Sequence, residues 1–225
     1  MPKSNTPSFI TQIPIKTDSK HLNILKKRFW AAKQQYNALL GEALSRLTKM
    51  KKNQMYKQAV GLYKQKGNKL KAKELFKKLA EKYAYREYDL YAYTKQWNTK
   101  NNPLSIGARI SQKLAKRAFK AVEEYKTKKR GKPRFKGIRG INSIEDNSLA
   151  NLRLKDKTIH YLGLHLPLLY NEKDPIHYHG LTSPIKYIRL VKHQFNTRTR
   201  YFAQLINQGT PGKKAKTHPQ KTLLA

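Results

Sequence analysis

Cysteine is absent from the 225 residues, and acidic side chains are scarce. Without cysteine there can be no disulfide and no thiolate metal site, which fits a reducing cytoplasm. Apolar runs are short, and none reaches the roughly 18 residues that a membrane-spanning helix needs. The first residues, Met1-Pro2-Lys3-Ser4-Asn5, show no apolar signal-peptide core. No P-loop, no dinucleotide fingerprint and no serine or cysteine triad is visible.

The shortage of acids has the largest consequence. Lys and Arg number 49 and Asp and Glu 13, a formal net charge of +36. Ordinary soluble domains keep a net charge of about 2–8. So large a surplus repels itself in the compact state and points to a polyanionic partner. Each phosphate neutralised by Lys or Arg releases counterions, which drives association. A membrane surface is a weaker match, because the helical stripes here are narrow enough for an ordinary core to cover. Residues 1–137 hold 35 Lys and Arg against 8 Asp and Glu; the remainder hold 14 against 5. The 38% hydrophobic content, with 14 Tyr and 7 Phe, supports a real core.

Along the chain, Phe9–Ile15 alternates as a short strand, near an edge because of Pro14. Asp18 or Ser19 can cap a helix over about 20–50, in which Leu22, Leu25, Phe29, Tyr36, Leu40, Ala43 and Leu47 recur at helical spacing. Asn53 can cap a second helix to about Lys66, and a third covers about 69–83. A short helix is expected over 86–97 and a long one over about 104–129, stopped by Gly131-Lys132-Pro133. Beyond Phe135 the pattern becomes β: segments near 152–154, 158–162 and 164–166, then 184–195 and 200–207 joined by the 196–199 loop. A first strand separated from its sheet by helices predicts an α+β fold: an antiparallel β-barrel with a helical insertion. The expected division is 1–17 first strand, 18–132 helical lobe, 133–208 remaining barrel and 209–225 disordered tail.

The strongest local feature is Lys126–Arg139, KTKKRGKPRFKGIR. Lys128, Lys129, Arg130, Lys132, Arg134, Lys136 and Arg139 surround Gly131, Gly137, Pro133 and Phe135. Lys and Arg suit phosphates, and Phe135 can either stack on a base or plug the core. The basic face of the 104–129 helix, with Arg109, Lys113, Lys116, Arg117 and Lys120, is the second candidate, set against a merely solvated face. The tyrosines of 83–93 suit helix packing better than base stacking. His177-Tyr178-His179, read as a loop, would need an extended backbone to aim both imidazoles at one metal. Glu145, Asp146, Asp156, Glu172 and Asp174 are the acids of the C-terminal half, too dispersed for a two-metal nuclease. No catalytic residue, metal or cofactor is therefore expected.

The order of strand, helical block, Leu114-Ala115-Lys116-Arg117-Ala118-Phe119-Lys120-Ala121, Pro133-Arg134-Phe135-Lys136, Ile185–Arg189 and Arg200–Leu205 resembles the N-terminal half of the TnpB/OrfB transposon-encoded nucleases. These are related to type V CRISPR effectors, and the similarity covers residues 9–209. The resemblance implies a wedge-type β-barrel interrupted by a helical recognition lobe. It also implies guide-type structured RNA and target DNA as partners, in a prokaryotic cytosol or nucleoid. DNA contacts would fall on the 104–129 helix and guide-RNA contacts on the Pro133–Lys136 turn and barrel. The family's RuvC nuclease strand has no counterpart after Gly209. The expectation is a truncated N-terminal part that does not cleave alone, with a separate nuclease half as a further partner. A His-Tyr-His nuclease and a ribosome-associated RNA-binding protein are the competing readings.

Overall fold

The computed structural model describes residues 6–99, 101–196 and 198–212. The chain forms two compact units: Met1–Thr17 with Asn147–Ala225, and Asp18–Asp146. The first is built on antiparallel sheets and the second mainly on helices, each with its own core. The expected tail lies, from residue 213 on, outside the described residues.

The chain enters as β1 (Ser8–Pro14), in which Phe9, Thr11 and Ile13 are buried and alternate with outward residues. The helical unit follows. Its first helix, α1 (Ser19–Lys52), begins where the Asp18 carboxylate accepts the His21 backbone N–H at 2.7 Å. That bond, more than the nearby positive charges, holds the Asp18 carboxyl below its ordinary range. Leu25, Phe29, Tyr36, Leu40, Ala43 and Leu47 form its buried stripe. At about 1.5 Å per residue α1 is some 50 Å long.

Asn53 ends α1 through its backbone N–H to Met50 O, and its side chain accepts from Met55 N to start α2 (Gln54–Lys64). Helix α3 (Lys69–Lys82) pairs with α2. Helix α4 (Glu87–Tyr93) continues as a 3-10 turn, Thr94–Trp97.

Helix α5 (Ala108–Lys126) lies along α1, burying Ile110, Leu114, Ala118 and Val122. It is shorter at both ends than the expected 104–129. Gly107, at φ 96°, cannot be the interior of a helix, so α5 starts after it. At the other end Lys128 N bonds Tyr125 O, Lys129 N bonds Glu124 O, and Lys128 takes φ 59°. This is a Schellman ending, and it stops the helix before Gly131-Lys132-Pro133 is reached. Strand β2 (Ser143–Asp146) packs on α5 and completes the unit. The sequence pattern does not predict it: four residues with two acids lack a strand signature. The compact helical unit extends to Asp146.

In the other unit β7 (Arg198–Gln208) lies between β1 and β6 (Ile185–Phe195), all antiparallel. Ile188 and Leu190 of β6 and Tyr201, Ala203 and Leu205 of β7 are buried. Lys192 is half-buried, and burial lowers its pKa. A second sheet holds β3 (Leu152–Lys155), β4 (Thr158–Tyr161) and β5 (Leu164–Pro167) in that order. Asp156-Lys157 and Leu162-Gly163 all have positive φ, the type I′ geometry that closes two-residue hairpins.

A closed barrel was expected, but two separate sheets form. Strands β3–β5 have four residues each, and their sheet meets the first at its corner. There Ile15 bridges Leu168, Lys16 N bonds Pro167 O and Leu169 N bonds Pro14 O.

The segment read as a loop around His177 is a helix, α6 (Pro175–Thr182). Asp174 caps it by accepting from Ile176 N at 2.9 Å, and Pro175 occupies the first turn. Gly180 lets α6 meet β1. A Cβ there would lie 2.1 Å from Thr11 Oγ1, and the Gly180 carbonyl accepts from Asn207 Nδ2 at 2.7 Å.

Gly180→Ala is expected to destabilise the protein by about 1–3 kcal/mol, the usual range for overpacking. A urea melt would show a lower midpoint. Tyr201, buried in this unit, has its phenol pushed up to about 12 by desolvation. The unfolded phenol ionises first, so its contribution to stability is full below about pH 10 and is lost as pH rises toward 12. Tyr201→Phe should therefore show a shallower loss of stability over that interval than the parent protein, measured by urea melts at successive pH values.

Candidate nucleic-acid interface

The thirteen candidate residues divide into two groups by their surroundings. On α5 most cations already have partners. Lys113 Nζ is 3.2 Å from Glu145 Oε1 with both side chains largely covered, so it ties α5 to β2. Arg117 donates to Ser143 O at 3.1 Å and makes a second tie to the same strand. Lys116 reaches Glu87 of α4 at 3.4 Å. Lys120 and Arg130 share Glu124, at 3.9 and 3.2 Å. Arg109 is exposed at the start of α5 and donates to Gln112 Oε1 at 3.3 Å. The helix face is thus largely a packing and ion-pairing surface.

The turn after α5 is different. Lys128, Lys129, Lys132, Arg134, Lys136 and Arg139 are all exposed. Among the described residues, no ion pair forms to Lys128, Lys129, Lys132 or Arg134. The backbone beneath them is nonetheless fixed. The Asn37 side chain on α1 donates to Lys136 O at 3.0 Å and accepts from Lys136 N at 2.8 Å. One amide side chain thereby mimics a strand partner for the turn. Lys136 Nζ stands 5.8 Å from the Tyr36 ring centroid, a cation–π distance.

Phe135 does not plug the core: it is 57% exposed. Its ring rests edge-on near Gly41, one helical turn beyond Asn37, where a Cβ would lie 3.7 Å from Phe135 Cε1. A groove of about 510 Å³ opens beside the ring. Tyr125 of α5 also lines it, and Lys51, Lys52 and Lys132 stand around it. Lys51 Nζ lies 5.1 Å from the Tyr125 ring centroid. Sequence reasoning does not find Asn37, Gly41, Lys51 and Lys52. A glycine inside the apolar period of α1 and the basic run Lys49–Lys52 are the signals that point to them.

The tyrosine segment is mainly packing. Tyr85 is buried against Phe119, with ring centroids 5.3 Å apart, and Lys126 Nζ lies 5.1 Å from the Tyr85 centroid. Burial, then the nearby Glu123, raises the Tyr85 phenol far above its ordinary range. The Tyr91 hydroxyl donates to Glu87. Tyr88 alone of this set is largely open, at 78%.

The two histidines of α6 diverge. A helix turns about 100° per residue, so positions two apart lie on opposite sides. His177 Nδ1 accepts from Asn171 N at 3.3 Å and sits 3.9 Å from Asp174. His179 stacks on Phe9 at 5.0 Å and its Nε2 lies 3.0 Å from Thr210 O. They cannot share one metal in this geometry. Among the described residues, no group of three or more His, Asp or Glu is placed to hold a metal ion. Glu145 and Glu172 are each engaged by a lysine, at 3.2 and 3.0 Å, and Asp174 is a helix cap.

No helix among the described residues is long and apolar enough to cross a membrane. No protein-family model and no curated protein matches the chain.

Lys128 occupies a left-handed position that favours glycine. Lys128→Gly should raise stability by up to about 1 kcal/mol, seen as a higher melting temperature. Asn37→Ala should release the turn. Trypsin cleavage after Arg134 or Lys136 would then be faster than in the parent protein, read by gel and mass spectrometry.

Proposed function

We propose that this chain is a nucleic-acid-binding recognition module of the TnpB/OrfB type, engaging a structured guide RNA and target DNA. The observation that carries the reading is the basic turn. Four cations with no acidic partner among the described residues stand between the Lys128–Lys129 helix ending and the Lys136 backbone held by Asn37. A fixed array of this kind meets phosphates without first breaking its own ion pairs, so little of the attraction is lost to desolvation or reordering.

On this reading the helical unit acts as the recognition lobe, and the two antiparallel sheets correspond to the family's wedge. The α5 cations held by Glu87, Glu124 and Glu145 mainly keep the helices in place. Arg109 at the start of α5 and the turn residues supply the phosphate contacts. Cleavage is assigned to a RuvC-type nuclease half and to no side chain described above.

The reading predicts tight, salt-sensitive association of the purified chain with structured RNA and with duplex DNA. Replacing Lys128, Lys129, Lys132 and Arg134 together by Ala should weaken binding. On duplex DNA it should flatten the plot of log affinity against log salt by about 0.9 for each phosphate that is no longer neutralised. Lys113→Ala should leave that slope unchanged while lowering thermal stability, since Glu145 would lose its partner. Filter binding across a salt series measures both slopes, and a thermal melt the stability. Absence of binding to any RNA or DNA at low salt would refute the proposal.

A further inference from the structure

The groove beside Phe135 has a construction that phosphate binding alone does not require. Leu44 and Leu47 contribute to its apolar lining, and Phe135 and Tyr125 stand on it from two different elements. An aromatic ring left 57% exposed forgoes burial that would ordinarily stabilise the fold. The ring does not hang free, because the residue after it is clamped by Asn37 and its edge meets α1 at Gly41. Phe135 is therefore held in place with a face open to the groove.

The surroundings specify the kind of ligand. Lys51, Lys52 and Lys132 line the groove, and among the described residues no acidic one does. Ser45 and Thr48 add hydroxyls, and Thr48 Oγ1 uses its proton on Leu44 O, which leaves its lone pairs to accept. The volume of about 510 Å³ falls within the usual range for sites that enclose a small ring system. Apolar lining, an open aromatic face, hydroxyls and a cationic rim together suit a flat heteroaromatic ring carrying phosphate.

We infer that this groove receives the base of one unpaired nucleotide of a single strand, stacked on Phe135, with the adjoining phosphates on Lys51, Lys52 and Lys132. The inference rests on the nucleic-acid reading and adds to it a preference for unpaired over paired nucleotides. Bases within a duplex are already stacked and must be extruded at a cost before they can enter. Stacking is tolerant of base identity, because each base presents a π-face. The groove thus reads strandedness more than sequence.

The test compares fluorescein-labelled oligouridine, the matching oligodeoxyuridine and a duplex of equal length, by anisotropy on the full chain at one salt concentration. Phe135→Ala should weaken single-strand binding by roughly 5- to 150-fold and leave duplex binding unchanged. Phe135→Tyr or Phe135→Trp should restore it. A single strand carrying 2-aminopurine should lose fluorescence on binding the parent protein and much less on binding Phe135→Ala. Loss with only one of the two single strands would identify RNA or DNA as the source of the base. Circular dichroism of Phe135→Ala should be unchanged, since the ring lies outside the core. If Phe135→Ala binds single strands as the parent does, or loses single-strand and duplex affinity equally, the base-binding groove is wrong while the nucleic-acid reading stands. If the parent binds none of the three at low salt, the nucleic-acid reading itself fails.

Discussion

Repulsion among like charges is the constraint under which the helical unit holds together. Residues 18–146 carry 34 Lys and Arg against 10 Asp and Glu. With so few anions, their positions matter more than their number. Glu87, Glu124 and Glu145 sit where α4, α5 and β2 meet or end, and each takes one or two cations out of the repulsive sum. Exposed pairs of this kind contribute little individually, about 0–1 kcal/mol. Lys113 with Glu145 is the exception in character, since both are largely covered and neither can be removed without stranding the other. The packed helices are thereby relieved of part of their own charge; the cations left over are spread along exposed positions of α1 to α3 and over the turn that follows α5.

That turn has to be ordered without help from its charged side chains. Three uncharged devices do this. The Schellman ending of α5 satisfies the last carbonyls, the Asn37 amide bonds both polar atoms of the Lys136 backbone, and Phe135 rests on Gly41. Lys128 in a left-handed conformation is the cost of placing a cation where glycine would be easier. Such a substitution of charge for conformational ease is what a site shaped for binding rather than for stability would carry. In the proposed function, preorganisation of this kind converts a diffuse positive potential into directed phosphate contacts.

Local pattern is enough to read most of the secondary structure. The period of α1, the caps Asp18 and Asn53, the alternation of β1 and the β6–β7 hairpin are all encoded within a few residues of each other. The pattern misleads where local signals are weak or where a distant partner decides. Strand β2 has four residues and two acids, and it is stabilised by Lys113 and Arg117 from α5. The 175–182 helix is hidden by its Pro and Gly, which serve as a first-turn proline and a close contact with Thr11. The barrel does not close because β3–β5 are short and form a sheet of their own, joined to the first at the Ile15–Leu168 bridge.

The sequence by itself determined the charge, the placement of that charge in the first 137 residues, the helix and strand order, and the basic composition of 126–139. These depend on composition and on spacings of a few residues. The tertiary structure decided which cations are neutralised, that Phe135 stays open, and that α1 supplies the other half of the groove. Those outcomes depend on contacts between residues as far apart as Asn37 and Lys136, and no local pattern carries information across that separation.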